Sequence, residues 1–310
     1  MRRKPILILC IVNAIVAVAV LFIAIPKLHK EKAHIPATPL KQGPKPSDQA
    51  LWERVMRSTS TGEAAHYLGQ IDDINYKKKV VEKQLRLITY RKSRNNASIE
   101  QFHKDRVLIS EWAQLAEGDA STELLILLFN NTALTLSLRE TALIQCVQVC
   151  QRHYATSNDL ATLEPATELI DRAYKEVNSL QGIALKAEWF LDQKVHAATE
   201  PSNQLRERIA TTLLNHTGLE SNQIACLELL QSPPFHSIID NEALYALYAN
   251  DSSDALKTAI LHYFIAKKDP MAQTWLQQLQ PKTPGLEQLQ FRAIQLLDNL
   301  ATQAPVHLEP

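Results

Sequence analysis

The chain has 310 residues, 45% of them hydrophobic, which is enough core for one large or two medium domains. Its 33 basic and 33 acidic side chains cancel, but not evenly: residues 1–49 carry +6, residues 50–110 carry +5, and residues 111–310 carry −11. The seven glycines never lie closer than seven residues apart, which excludes G-x-G-x-x-G, the P-loop and G-x-S-x-G, devices that need glycine for close backbone approach or a sharp turn.

Residues 1–4 form a short basic tail, and Pro5 to Ile25 is uncharged and apolar apart from Asn13. At ~1.5 Å per residue such a helix just crosses a ~30 Å hydrocarbon core. The run is longer than a secretory h-region and ends in Ile23-Ala24-Ile25-Pro26 without a small-residue cleavage site, so residues 5–25 read as a retained signal-anchor rather than a cleaved signal. Cys10 lies inside the run, not after it, so it reads as a polarizable residue in the helix and not as a lipidation site. Arg2, Arg3 and Lys4 on one side nearly balance Lys27, Lys30 and Lys32 on the other. A four-residue tail is easily left inside, so the large C-terminal domain is placed outside the cytoplasm, in the periplasm if the source is bacterial.

Residues 26–49 hold five prolines and five lysines against Glu31 and Asp48, the composition of an extended, hydrated linker. At ~3.1 Å per residue it could hold the domain up to ~75 Å from the bilayer, and its lysines could lie on anionic headgroups.

Residues 50–119 read as a basic helical region and 120–304 as an acidic one, followed by a tail, 305–310. Few glycines and few alternating Val/Ile/Thr runs argue against β-structure, and helical periodicity is abundant. Thr122 to Phe129 is nearly continuous apolar sequence, as in a buried helix. Leu205, Ile209 and Leu213 mark one helix face, as do Leu256, Ile260 and Phe264, and Leu289, Ala293 and Leu297. Ser60-x-x-Glu63 has capping-box spacing; Ser121, Ser202, Ser221 and Ser253 stand where helices should begin. The expected fold is all-α, with roughly twelve to fourteen helices of ~10–20 residues joined by short loops.

The sharpest charged element is Tyr76 to Arg94, with Glu82 its only acid. Val80, Val81, Leu85 and Ile88 should pack on the domain, leaving Lys77, Lys78, Lys79, Lys83, Arg86, Arg91, Lys92 and Arg94 either as an ordinary solvated face or to contact anionic lipid, an acidic partner or the protein's own acidic half; no nucleic acid is expected, given the anchor and the acidic remainder.

Cys146, Cys150 and His153 share one helical stripe and are the one constellation with ligand-like spacing; two buried thiols beside a histidine is the simpler reading. Cys226 makes an odd number in the domain, so a disulfide framework is not expected, although one bridge to Cys146 or Cys150 stays open. The ten histidines are dispersed and carboxylates stand mostly at helix-surface positions, so no catalytic residue, cofactor or acid/base pair is assigned. Four N-x-S/T sequons, at Asn96, Asn130, Asn215 and Asn250, matter only in a secretory eukaryotic context.

Leu138-Arg139-Glu-Thr-Ala142-Leu143-Ile144, Leu205-Arg206-Glu-Arg-Ile209-Ala210, Leu256-Lys257-Thr-Ala259-Ile260-Leu261 and Phe291-Arg292-Ala293-Ile294 share an aliphatic or aromatic residue, then a basic one, then small and large aliphatics. The pattern is similar to the second helix of HEAT-type repeats. That resemblance implies an irregular α-solenoid over roughly residues 120–304, with a compact multi-helix bundle as the alternative. Taken with the anchor and the divided charge, the expected function is a membrane-anchored scaffold or adaptor that binds another protein; the alternatives are an envelope hydrolase, a metal-binding helical protein and a lipid-associated spacer.

Overall fold

Short polar side chains set where most helices begin. In the computed structural model, which describes residues 46–303 apart from 92–97, 116–118, 196, 216, 250–252, 269, 280 and 282, Ser47, Ser60, Asp73, Ser202 and Ser253 each accept a backbone N–H from the first turn. The capping box forms with one change: Glu63 reaches back to the N–H of Thr59 (3.0 Å) while its own N–H donates to Ser60 Oγ (3.2 Å).

The elements are α1 (Asp48–Arg57), α2 (Thr61–Gly69), α3 (Ile74–Thr89), α4 (Ile99–Leu115), α5 (Asp119–Asn130), α6 (Leu136–Ser157) and α7 (Glu164–Lys175). They continue with α8 (Leu180–Val195), α9 (Asn203–Leu214), α10 (Glu220–Leu230), α11 (Asn241–Ala249), α12 (Asp254–Lys267), α13 (Pro270–Gln278) and α14 (Pro284–Gln303). Single 3-10 turns, η1 (Leu160–Leu163) and η2 (Pro233–Phe235), join α6 to α7 and α10 to α11. The fold is all-α: no strand occurs among the described residues. No described helix is long and apolar enough to cross a membrane; the apolar run 5–25 and the linker to residue 45 lie outside the described residues.

The helices belong to one unit, Ser47–Pro310. Each odd-numbered helix packs on the even-numbered helix that follows it, and α2, α4, α6, α8, α10, α12 and α14 pack on one another in that order. The buried apolar residues fall into two clusters, one from Leu51 to Leu191 and the other from Leu185 to Leu297. They meet at α8, which gives Leu180, Ala184, Ala187 and Leu191 to the first and Leu185 and Trp189 to the second. The first set recurs at i, i+4, i+7 and i+11, one helical stripe, and the second lies on another face. A fully buried leucine contributes ~1.5–3 kcal/mol, so a helix apolar on two faces ties both clusters together.

Several local expectations change. Ser121 lies inside α5, fully buried, and its carbonyl accepts the indole N–H of Trp112 (3.3 Å). Leu124, Leu125, Leu128 and Phe129 are buried as the apolar run suggests, but Leu127 is exposed. Ser221 falls in the first turn of α10, with Leu219 at the cap position. The faces of α9 and α12 hold as expected, with Leu205, Ile209, Leu213, Leu256, Ile260 and Phe264 all buried.

Candidate functional site

The basic helix α3 buries Val81, Leu85 and Ile88, while Val80 is only half-buried. Its lysines and arginines do not form one face. Lys77 donates to Glu111 on α4 (2.8 Å), and Arg91 donates to the fully buried Asp105 (2.6 Å), so both hold the domain together. Lys78 is half-buried; Lys79 and Lys83 are exposed; Arg86 is exposed and pairs with Glu82 one turn earlier. Lys92 and Arg94 lie outside the described residues. Leu87 and Tyr90, which the basic pattern obscures, are 59% and 77% exposed.

Cys146 and Cys150 are both fully buried on α6, and His153 is half-buried one turn on. The hydrogen bond with Cys150, burial and the charge of the second thiol together hold Cys146 far above the ordinary thiol range. No disulfide joins Cys226 to Cys146 or Cys150, and its thiol is pushed up to about 12 by burial, opposed by the charge of Lys186. Metal ligation needs thiolates, and both environments favour the thiol. Among the described residues no group of three or more His, Cys, Asp or Glu is placed to hold a metal ion.

The structure instead assembles a cleft of about 300 Å³ between η1, α7, α8 and α9. Arg208 of α9 stands at its wall with one guanidinium nitrogen on Asp171 of α7 (2.5 Å) and another on Glu188 of α8 (2.7 Å). The guanidinium also lies over the ring of Tyr174, 4.7 Å from its centre. Asp192 lines the same cleft, so three carboxylates and one arginine face it. Burial pushes the Glu188 carboxyl above its usual range; Arg208 opposes this, and the charges of Asp192 and Asp171 add to it. The hydroxyls facing the cleft are engaged with backbone: Ser202 caps α9 through the N–H of Leu205 (3.1 Å), and Thr167 donates to the carbonyl of Leu163 (3.1 Å). The arrangement clamps three helices and presents net negative charge.

A second arginine clamp lies at the junction of α5, α6 and the end of α7. Arg139 is 3% exposed; its Nε donates to the carbonyl of Phe129 near the end of α5 (2.6 Å), and its two terminal nitrogens grip Glu176. Burial acts to raise the Glu176 carboxyl, but hydrogen bonds from Arg139 and Asn178 and the Arg139 charge outweigh it, leaving the group below its usual range.

No family model, curated protein or solved structure matches this chain.

Local spacing could not reveal Arg208, Asp171 and Glu188, because they stand on three different helices. One cue was available: Glu188 is a lone carboxylate inside Ala187-Glu-Trp-Phe-Leu191, where an apolar helix face continues around it.

Proposed function

We propose that this chain is a membrane-tethered scaffold in which an irregular, HEAT-like stack of helix pairs binds another protein outside the cytoplasm. The observation that carries this reading is the order of packing: seven successive helix pairs, each joined to the next through its even-numbered helix. A stack of that kind buries its core between neighbours and leaves outer helix faces and loop ends available to a partner. The divided charge adds direction, since a basic first part and an acidic remainder select partners by complementarity.

The four aliphatic–basic segments support the reading less than their sequence suggests. Leu138-Arg139 and Leu256-Lys257 stand in even-numbered helices, as does Phe291-Arg292, but Leu205-Arg206 stands in α9, the first helix of its pair. Three of them share a different position: Leu138, Leu205 and Leu256 are buried at the third residue of their helices, directly before the basic residue. The shared pattern therefore marks a helix start with a buried leucine, and the packing order, not the pattern, bears the weight.

Chemical cross-linking of the full chain in its native membrane, followed by affinity purification, tests the proposal. A stoichiometric protein partner is the expected result. Preparations that repeatedly contain this chain alone would remove the scaffold reading.

A further inference from the structure

The exposed side of α3 presents Lys79, Lys83, Arg86, Leu87 and Tyr90. On a helix of 3.6 residues per turn these five fall within an arc of ~100°, opposite Val81, Leu85 and Ile88. We propose that this face docks on the anionic phospholipid surface of the membrane that holds the chain; the proposal rests on the membrane tether inferred above.

Two observations favour lipid over an acidic protein, and a third lowers the cost of docking. The first is position. Asp48, the first residue of α1, accepts the backbone N–H groups of Asp72 (3.3 Å) and Asp73 (3.1 Å), and Asp73 is the N-cap of α3. Ser47 caps α1, so the Pro/Lys-rich linker enters the folded unit within hydrogen-bond distance of the start of the basic helix. Any surface to which residues 5–25 are anchored is therefore supplied to α3 at high effective concentration.

The second is composition. Lysine and arginine interleaved with leucine and tyrosine suit a headgroup boundary, where ammonium groups meet phosphate and the apolar bodies sink among the acyl ends. An acidic protein partner would use the charges but has no need of two large exposed apolar side chains beside them.

The third is rigidity. The inner face of α3 is buried, and Asn131 Nδ2 donates to the carbonyls of Ile88, Thr89 and Arg91 at its end (3.0–3.4 Å). Arg91 is locked to Asp105, and Lys77 to Glu111. Leu87 and Tyr90 are thus held outward by a helix pinned at both ends, and docking orders little that is not ordered already.

The test uses the full chain carrying Cys10→Ser and Leu87→Cys, reconstituted into vesicles; Cys146, Cys150 and Cys226 are buried, so a thiol-directed fluorophore reports on position 87 alone. Lipid-borne nitroxide should quench the label strongly in vesicles of equal parts phosphatidylcholine and phosphatidylglycerol, and weakly in phosphatidylcholine alone. Each basic side chain near an anionic surface favours docking ~5-fold, so Lys79→Glu with Lys83→Glu should reduce the docking equilibrium constant at least ~25-fold. Flotation in high salt separates the two layers of the argument. A chain that leaves the vesicles overturns the tether and this proposal with it. A chain that floats with equal, weak quenching in both lipids overturns the docking and leaves the tether standing. Cross-links from Lys79 or Lys83 to a co-purified protein, without lipid quenching, give the face to an acidic partner and also overturn the proposal.

Discussion

Ser121 and Arg208 are buried polar residues with opposite consequences. The Ser121 hydroxyl is fully buried and has no hydrogen-bond partner among the described residues, so it contributes desolvation cost without compensation. Alanine there also has the better helix propensity, and Ser121→Ala should be neutral or stabilise by up to about 1 kcal/mol in urea unfolding. Arg208→Ala leaves Asp171, Glu188 and Asp192 facing one another without their cation, at a cost of about 3 kcal/mol at neutral pH. That cost should depend on pH. Glu188 is already held above its usual value, and a carboxyl raised in the folded state contributes stability below its unfolded pKa and loses it as pH rises through the folded one. The deficit of Arg208→Ala relative to the parent chain should therefore shrink as pH falls below neutral and the cleft carboxylates take up protons. An equal deficit at pH 7.5 and pH 5 would mean that Arg208 acts by packing on Tyr174 rather than by charge.

At the scale of elements, α8 and α10 approach one another closely at Gly182. A Cβ placed on Gly182 would stand 2.7 Å from Cβ of Ala225, and the Gly182 N–H donates to Asn222 Oδ1 (3.0 Å). Glycine is used here for close approach, since Gly182 lies in the first turn of a helix where alanine would otherwise be preferred by about 1 kcal/mol. Gly182→Ala should instead destabilise by about 1–3 kcal/mol through overpacking. Adding Ala225→Gly, which removes the opposing methyl, should recover part of that loss. A double variant no better than the single would place the strain on Asn222, whose Oδ1 and Cα stand 3.2 and 3.4 Å from that Cβ. Three helix starts were legible, because Ser60, Ser202 and Ser253 act through local hydrogen bonds that any chain with that spacing can make. Ser121 misled because Asp119 and Ala120 already belong to the helix.

Over the whole molecule, two clusters meeting at α8 set an expectation for cooperativity. Phe264 is fully buried in the second cluster among Tyr245, Tyr263 and Trp275, with ring centres 5.3–5.5 Å away. Phe264→Ala should cost about 3–5 kcal/mol there. If stability is a sum of local and nearest-neighbour terms, amide exchange should quicken in α10, α12 and α14 while Leu108, Ile109 and Trp112 of α4 keep their protection. Equal loss of protection in α4 would show that Ser47–Pro310 unfolds as one cooperative body, and would count against a repeat-like stack.

The sequence by itself determined the helical class, the faces of α9 and α12 and the helix starts at Ser60, Ser202 and Ser253. It also located a strongly basic segment beside a Pro/Lys-rich linker. These depend on periodicity, capping and composition, which act within a few residues. Only the tertiary structure decided which charges are internal. Lys77 and Arg91 look like members of a solvated basic face until Glu111 and Asp105 are brought to them from another helix. Arg208 joins Asp171 and Glu188 across 37 and 20 residues, and Arg139 joins Glu176 across 37. Ion pairs between helices depend on which helix follows which in the packing. That order is set by the buried apolar faces of several helices together, so no single segment of the chain encodes it.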